Sequence, residues 1–519
     1  MKKPLKRFHR LAWCFVLALA AAGGSVASAA THDGLRDVAV HAGSGDFGES
    51  DGPAAAAAFR TPKGIKLLPD GTLLVADTGS HLIRSVKAGR TDKVAGVTFD
   101  FDAAGLPVGG LADGKAGASV FQSPSDIDVD ADGNIYVADT GNNVIRKIDR
   151  DGRVTTLAGS PVGAPGYRDG RGGEARFHAP SALAVAPDGT VYVADTLNHV
   201  IRKVTPDGVV TTLNAFRLRG VEVFAGVVEP AGDFRDGPLS EALFNEPSGL
   251  ALDGKGNLYV SDAGNQRIRY IDFAAGTVTT VAGGGNAGPG DFYAEGDYAD
   301  GDALEARFDF PRGIAVAPDG SLLIADSGNH AVRLLKDGRV YTVVGNDGAE
   351  PGRTNGTEKS ARLTFPTDVD VDAQGNIYVA DAYNNQIRFI TGYRLPAGTA
   401  KDGVIRVADG GRLIEFDVQP VIRHDRVFVP VRHIAEALGY EVQALDNRQV
   451  VLAKSGVRVT LRIGDARADI SQDAGTTALT LDAAPFIEGI RTMVPVRFIA
   501  EALDRQVDWM AEWKLVVIR

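Results

Sequence analysis

The chain has 519 residues, of which 44% are hydrophobic and 23% charged, with a single cysteine and a formal net charge of −11. That acidic balance repels phosphate backbones, and no basic patch stands out to offset it, so nucleic-acid binding is set aside. One cysteine likewise excludes a disulfide framework.

The first residues carry Lys2, Lys3, Lys6, Arg7 and Arg10, then an apolar run over 11–22 and the small-residue string Ala27-Ser28-Ala29. This is the pattern of a secretory signal peptide over 1–30, and its removal takes the charge from −11 to −16 because the segment holds no acid. Cys14 lies inside it, behind Trp13, which is too bulky for a lipoprotein cleavage site. An exported protein without cysteine relies on packing, which suits a secreted or cell-surface product. No later apolar run is long enough to span a bilayer.

Six copies of one unit follow, at 59–86, 121–148, 177–204, 244–271, 308–335 and 363–390. Each opens near a proline (Pro62, Pro124, Pro180, Pro247, Pro311, Pro366), reaches a turn glycine nine residues later and an aspartate six beyond that (Asp77, Asp139, Asp195, Asp262, Asp326, Asp381). An arginine stands seven further on: Arg84, Arg146, Arg202, Arg269, Arg333 or Arg388. Apolar residues alternate at period two between these landmarks, so each unit is one antiparallel element that buries its faces only by stacking on its neighbours. About four strands are expected per unit, for instance 183–186, 191–194, 200–204 and 209–213. The sixth unit stops after its third strand, and an orphan strand at 37–43 (DVAVHAG) precedes the first; the orphan is expected to pair with 386–390 and close a ring of six blades, leaving no open edge.

The runs YVADTGNNVIRKI (136–148), YVADTLNHVIRKV (192–204) and YVSDAGNQRIRYI (259–271) resemble NHL repeats, and the likeness covers about 35–392. It implies an all-β six-bladed propeller over 31–392, in a family made mostly of binding scaffolds, with propeller lyases and hydrolases of related architecture. Ser80 departs from the asparagine found in the other units (Asn142, Asn198, Asn265, Asn329, Asn384), which predicts a weaker turn there.

After a Pro/Gly connector at 393–402 the pattern changes. FVPVRHIAEAL (428–438) returns 65 residues later as MVPVRFIAEAL (493–503). Each copy reads as a strand running into a proline, then a helix with one apolar face (Ile434, Ala435, Leu438; Ile499, Ala500, Leu503), then two strands. This duplicated unit resembles the copper amine oxidase N-terminal domain, also called a stalk domain, and implies a small, non-catalytic α+β domain over 403–519. His424 and His433 fall short of the three imidazoles that a copper site of that type uses.

Candidate sites lie where the repeat breaks its own rule. Two and four residues after each proline most units carry small residues, but the second carries Asp126 and Asp128, the sixth Asp368 and Asp370, and the first, which the ring places between them, Lys66. Four carboxylates round one lysine are stable when paired, hydrated or bound to a cation. The expectation is a salt-bridge cluster with no cofactor, calcium being the alternative occupant. His81, His199 and His330 read as separate surface turn residues. The six Asp-to-Arg pairs read as scaffold, and the Asp-Gly steps of the entry loops (Asp51, Asp113, Asp169, Asp236, Asp300, with Asn355 in the sixth) as turns. The entry loop of the fifth unit is long, acidic and aromatic, which makes Asp291, Phe292, Tyr293, Asp297 and Tyr298 candidates for contact with a partner.

No nucleophile sits beside a base, and neither a strand-borne nucleophile elbow nor an H-E-x-x-H pair is read. The sequence thus points to a monomeric, exported, non-enzymatic binding protein of the cell envelope with a protein or glycan partner. The alternative is a divalent-ion-dependent propeller lyase or lactone hydrolase acting in the channel.

Overall fold

A computed structural model describes residues 35–224, 226–288, 290–345, 348–445, 448–472, 475–502 and 505–519. The stretch read as a signal peptide, Cys14 within it, and Leu503 lie outside the described residues. The chain is almost entirely β, with two short α-helices, Val431–Ala437 and Val496–Glu501, among the described residues.

The repeats form six antiparallel sheets of five strands each. In the third, Pro180–Val185 is innermost, followed outward by Val191–Asp195, Val200–Val204 and Val209–Thr212, and then by Gly170–Arg171. This two-residue outer strand, present in every sheet, is absent from the four-strand reading of the sequence. The six inner strands neighbour one another in sequence order, and Pro366–Val371 returns to lie against Pro62–Leu67. A closed ring of this kind is consistent with a β-propeller. The second strand of each sheet is buried on both faces, as in Leu73–Asp77, because it packs between neighbouring sheets; the outer strand Arg90–Ala95 alternates instead. The turn glycines Gly71, Gly133, Gly189, Gly256, Gly320 and Gly375 all sit at φ of 80–84°, where a Cβ is strained.

The sixth sheet takes its fourth strand from the other end of the repeats: Arg36–Ala42 pairs antiparallel with Gln386–Gly392, Val38 opposite Ile390. Unforeseen in the sequence is a hairpin between the third and fourth sheets, Arg219–Phe224 with Val227–Ala231, whose tip exposes Phe224 and Val228.

Beyond Gly392 three further sheets and the two helices share one apolar core that includes Val429, Ile434, Leu452, Val494, Ile499 and Val516. The duplicated strands Arg426–Pro430 and Arg491–Pro495 pair with each other, Val429 opposite Val494, so the sequence repeat becomes a local two-fold. A five-stranded meander from Glu441–Ala444 to Gly475–Thr480 exceeds the two strands read there from the sequence. Residues 34–519 form one compact unit. The last residue joins the two parts: the Arg519 guanidinium meets the Arg36 carbonyl, Asp37, Glu358 and, at 2.7 Å, Asp508.

Candidate functional site in the central channel

The repeated charges are scaffold. Each of the six arginines is fully buried and donates to the repeat aspartate of its own sheet at 2.6–3.0 Å. Its second terminal nitrogen reaches the entry-loop residue 33 positions earlier: Asp51, Asp113, Asp169, Asp236, Asp300 or Asn355. The Asp-Gly steps are therefore more than turns. Their second carboxylate oxygen takes an amide of the outer strand, such as Thr212 N, which ties loop to sheet and creates the short fifth strand. The constant 33-residue interval was visible in the sequence and could have announced the pairing. The string GESDG at 48–52, a G-x-S-x-G match, belongs to this network: the Ser50 carbonyl and Asp51 carboxylate hold Arg84. Aromatic rings cover the guanidiniums, with Arg333 lying 4.7 Å from the Tyr298 ring and 5.3 Å from Phe308. Tyr298 thus fills the place that Tyr167 and Phe234 fill on Arg202 and Arg269.

The histidines differ from the surface reading. His81, His199 and His330 each cap a tight turn in left-handed backbone and accept, through Nδ1, the amide of the residue before the next sheet's proline: Ser123, Glu246 and Phe365, at 2.9–3.0 Å. Asn143, Gln266 and Asn385 do the same in the other three joints. The turn Thr78–Ser80 still forms and is capped by His81, but Ser80 Oγ is buried without the two bonds that Asn142 or Asn198 makes to the entry-loop carbonyl and the repeat aspartate. Burial holds all three imidazoles below their ordinary range, His199 at about 4, so they stay neutral and keep the acceptor.

Where the inner strands meet, they enclose a channel of about 330 Å³ lined by Lys66, Asp126, Asp128, Asp368 and Asp370. The ring does bring these five together. Lys66 Nζ lies 2.9 Å from Asp128 Oδ1, and the Asp128 charge is the main cause of its raised pKa, with Asp370 and Asp126 adding to it. Each carboxylate is also a backbone clamp. Asp126 and Asp128 accept the amides of Leu183 and Val185 in the third sheet, while Asp368 and Asp370 accept those of Ile65 and Leu67 in the first, at 2.7–2.8 Å. The other oxygen of each takes the following amide of its own strand. An innermost strand has an unpaired edge, and these side chains satisfy it. Small neighbours make room: a Cβ on Gly313 would fall 2.0 Å from Asp368 Oδ1, and one on Gly64 would fall 2.6 Å from Asp126 Cα. Burial pushes Asp126 up to about 7 and raises Asp368 well above its ordinary range, with Asp126 as the next cause, so the buried pair sheds negative charge by holding protons. Among the described residues no three His, Cys, Asp or Glu side chains are grouped as a metal site needs.

The fifth entry loop reaches the channel mouth. Tyr293 donates to Glu246 Oε1 at 2.9 Å and packs edge-on against Phe310, with Phe292 beside it. The Arg219 guanidinium and the Asn245 side-chain amide donate to the Phe292 carbonyl and hold the loop there. Asp291 closes a local turn on Gly288 N, and the Asp297 carboxylate takes Tyr298 N, so neither faces the mouth through those bonds.

With this geometry in place, comparison with known proteins gives two families. The NHL repeat matches 121–148, 244–269, 308–335 and 363–388, and the copper amine oxidase N-terminal domain matches 409–518. Protein SUPPRESSOR OF QUENCHING 1, chloroplastic, of Arabidopsis thaliana is 31% identical over 54% of this chain and 26% of its own length. NHL repeat-containing protein 2 of Bos taurus is 30% identical over 51% of this chain and 38% of its own, and teneurin-3 of Danio rerio 29% over 52% and 10%. The chain therefore spans well under half of these curated relatives. Among solved structures, an auxiliary nutrient binding protein of Bacteroides ovatus aligns with a TM-score of 0.49 at 16% identity, covering 70% of this chain and 78% of that one. Virginiamycin B lyase of Staphylococcus aureus aligns at 0.40 and 13%, covering 69% and 100%. The chain carries NHL repeats followed by a copper amine oxidase N-terminal domain. Among the described residues no helix is long and apolar enough to cross a membrane.

Proposed function

We propose that this is an exported, cell-envelope binding protein: a six-bladed NHL propeller over 31–392 whose loop face takes a protein or glycan, a connector at 393–402, and a non-catalytic stalk domain over 403–519. The carrying observation is the aromatic wall at the channel mouth. Tyr293 and Tyr383 are exposed, beside the half-buried rings of Phe310 and Phe365. Exposed rings on a rigid ring of sheets are what a recognition surface uses. The four channel carboxylates are already committed to backbone clamps, and the loops are the variable, ligand-facing element.

The test is binding of the full-length protein to an array of envelope glycans and to immobilised cell-wall fractions. Tyr293→Ala and Tyr383→Ala are expected to weaken binding at least tenfold while leaving the fold unchanged. Unaltered binding in the double variant removes the loop face from the reading.

The four channel carboxylates keep a second reading open, a divalent-ion-dependent lyase or lactone hydrolase. Its signature is a melting temperature raised by calcium and no longer raised in Asp128→Asn/Asp370→Asn. Under the binding reading calcium leaves the melting curve in place.

A further inference from the structure

One ring position of the channel mouth departs from the repeat in a way that neither the clamps nor the loop face uses. The residue following each proline is a hydroxyl in four sheets: Ser125, Ser181, Ser248 and Thr367. Three of these hydroxyls donate to a carbonyl of the next inner strand, Ser125 to Ser181 O, Ser248 to Pro311 O and Thr367 to Lys63 O, at 2.8–3.3 Å. The fourth, Ser181, bonds Thr196 Oγ1 at 2.6 Å. The scaffold therefore wants a small hydroxyl here, as a stitch between sheets.

The first and fifth sheets carry Lys63 and Arg312 instead. Both are half-buried, both line the channel, and they flank Thr367 of the sixth sheet, which lies between theirs in the ring. Among the described residues neither side chain has an ion-pair or hydrogen-bonding partner, and Arg312 Nε is fully buried without one. The carboxyl that acts most on Arg312 is Glu246, which forms no ion pair with it and accepts the Tyr293 hydroxyl. Arg312 instead lies over the Phe365 ring at 5.3 Å, and that ring stacks on Tyr383 at 4.9 Å and 14°. Burial lowers the pKa of Lys63, and Arg312 lowers it again, as expected of two cations that share a desolvated site with no carboxylate in ion-pair contact. Two unpaired cations cost stability, and proteins keep such costs at binding sites.

We infer that Lys63 and Arg312 form an anion site at the channel mouth, which takes the carboxylate of a ring-bearing acid while Phe365 and Tyr383 receive the ring. A guanidinium offers the paired donors that a carboxylate matches, the ammonium adds a second charge, and stacked aromatics accept either an aromatic ring or the apolar face of a sugar. The two cations sit on inner strands, while the rings Phe365 and Tyr383 are shared with the loop-face reading; the site itself takes a small acid and needs no macromolecule, so the two readings are tested separately.

The experiment is calorimetric titration of the full-length protein with benzoate, with glucuronate and with glucose. Benzoate or glucuronate is expected to bind and glucose not to; the tighter of the two acids tells whether the ring is aromatic or a sugar. Lys63→Ser and Arg312→Gln are each expected to weaken the acid at least tenfold and, without ligand, to raise the melting temperature, because each removes an unpaired charge and the first restores the stitch. Lack of binding by both acids, equal binding of glucose, or unchanged affinity in both variants overturns the inference. Should one variant not fold, the other and the wild-type titrations still decide.

Discussion

Two regions of the ring use the same chemistry to opposite ends. In the blade interiors the Asp–Arg–Asp network recurs with little change, its arginine and repeat aspartate fully buried and its entry-loop carboxylate reaching solvent. Along the channel the corresponding positions differ from sheet to sheet, and charge there is partly paired, partly protonated and, at Lys63 and Arg312, left without a partner. What repeats holds the ring together, and what deviates faces a space that a ligand can enter. The sixth sheet sharpens this contrast: Asn355 replaces the loop carboxylate and Leu363 the phenylalanine that covers the arginine elsewhere. This least charged network belongs to the sheet that is closed by Arg36–Ala42 and meets the C-terminal domain through Thr357–Gln506, Lys359–Asp508 and Arg519.

The largest break in this pattern should come from a repeated network. Arg202→Ala leaves the buried Asp195 carboxylate without its cation and takes one donor each from the Arg168 and Arg176 carbonyls, and a broken buried pair costs about 3–5 kcal/mol. Chemical denaturation should show a loss of that size, whereas Arg388→Ala in the sixth network should cost visibly less. Equal losses would mean that the sixth network is no weaker than the rest.

Next come the histidine joints. The folded pKa of His199, about 4, lies below its ordinary value of 6.5, so its contribution is present above pH 6.5 and is lost as pH falls toward 4. At 1.36 kcal/mol per unit this amounts to roughly 3 kcal/mol. His199→Asn should keep the clamp, because Asn143 and Asn385 already serve it in left-handed backbone, and should flatten the acid limb of a stability–pH profile. An unchanged acid limb in this variant would remove the histidine from the account.

The channel should titrate with the opposite sign. The folded pKa of Asp126, about 7, lies above its ordinary value, so stability from this group is greatest below pH 4 and is lost as pH rises through 7. Asp126→Asn should therefore flatten this pH dependence while losing one amide bond at every pH, since its Nδ2 cannot accept and the carboxyl takes both Ile127 N and Leu183 N. Asp126→Ala should lose about 1–3 kcal/mol throughout, since it leaves the Leu183 amide bare. A profile for Asp126→Asn parallel to that of the wild type would show that the carboxyl is ionised throughout.

The smallest effect is expected where the two parts meet. Arg519→Ala removes a mostly buried guanidinium, but Asp508 keeps Lys359 as its cation and Asp37 reaches solvent, so the melting temperature of the ring should drop by only a few degrees, in line with about 1 kcal/mol. A loss as large as that of Arg202→Ala would make the C-terminal domain part of the ring's core rather than an addition to it.

Much of this was legible in the residues themselves. Period-two alternation and invariant spacing between proline, glycine, aspartate and arginine determine six equivalent antiparallel sheets, because a strand with two apolar faces can bury them only between copies of itself. The same counting located the deviant positions, including the carboxylates round Lys66, since a departure shows only against a repeat. Tertiary structure alone decided what those positions do. The aspartates clamp amides of the following sheet, the histidines accept amides across a joint, and Lys63 comes to flank Thr367 opposite Arg312 although about 250 residues separate them. These partners lie one sheet away or across the closure of the ring, and a side chain's donors, acceptors and charge state are set by whatever closure brings alongside it, which local spacing does not encode.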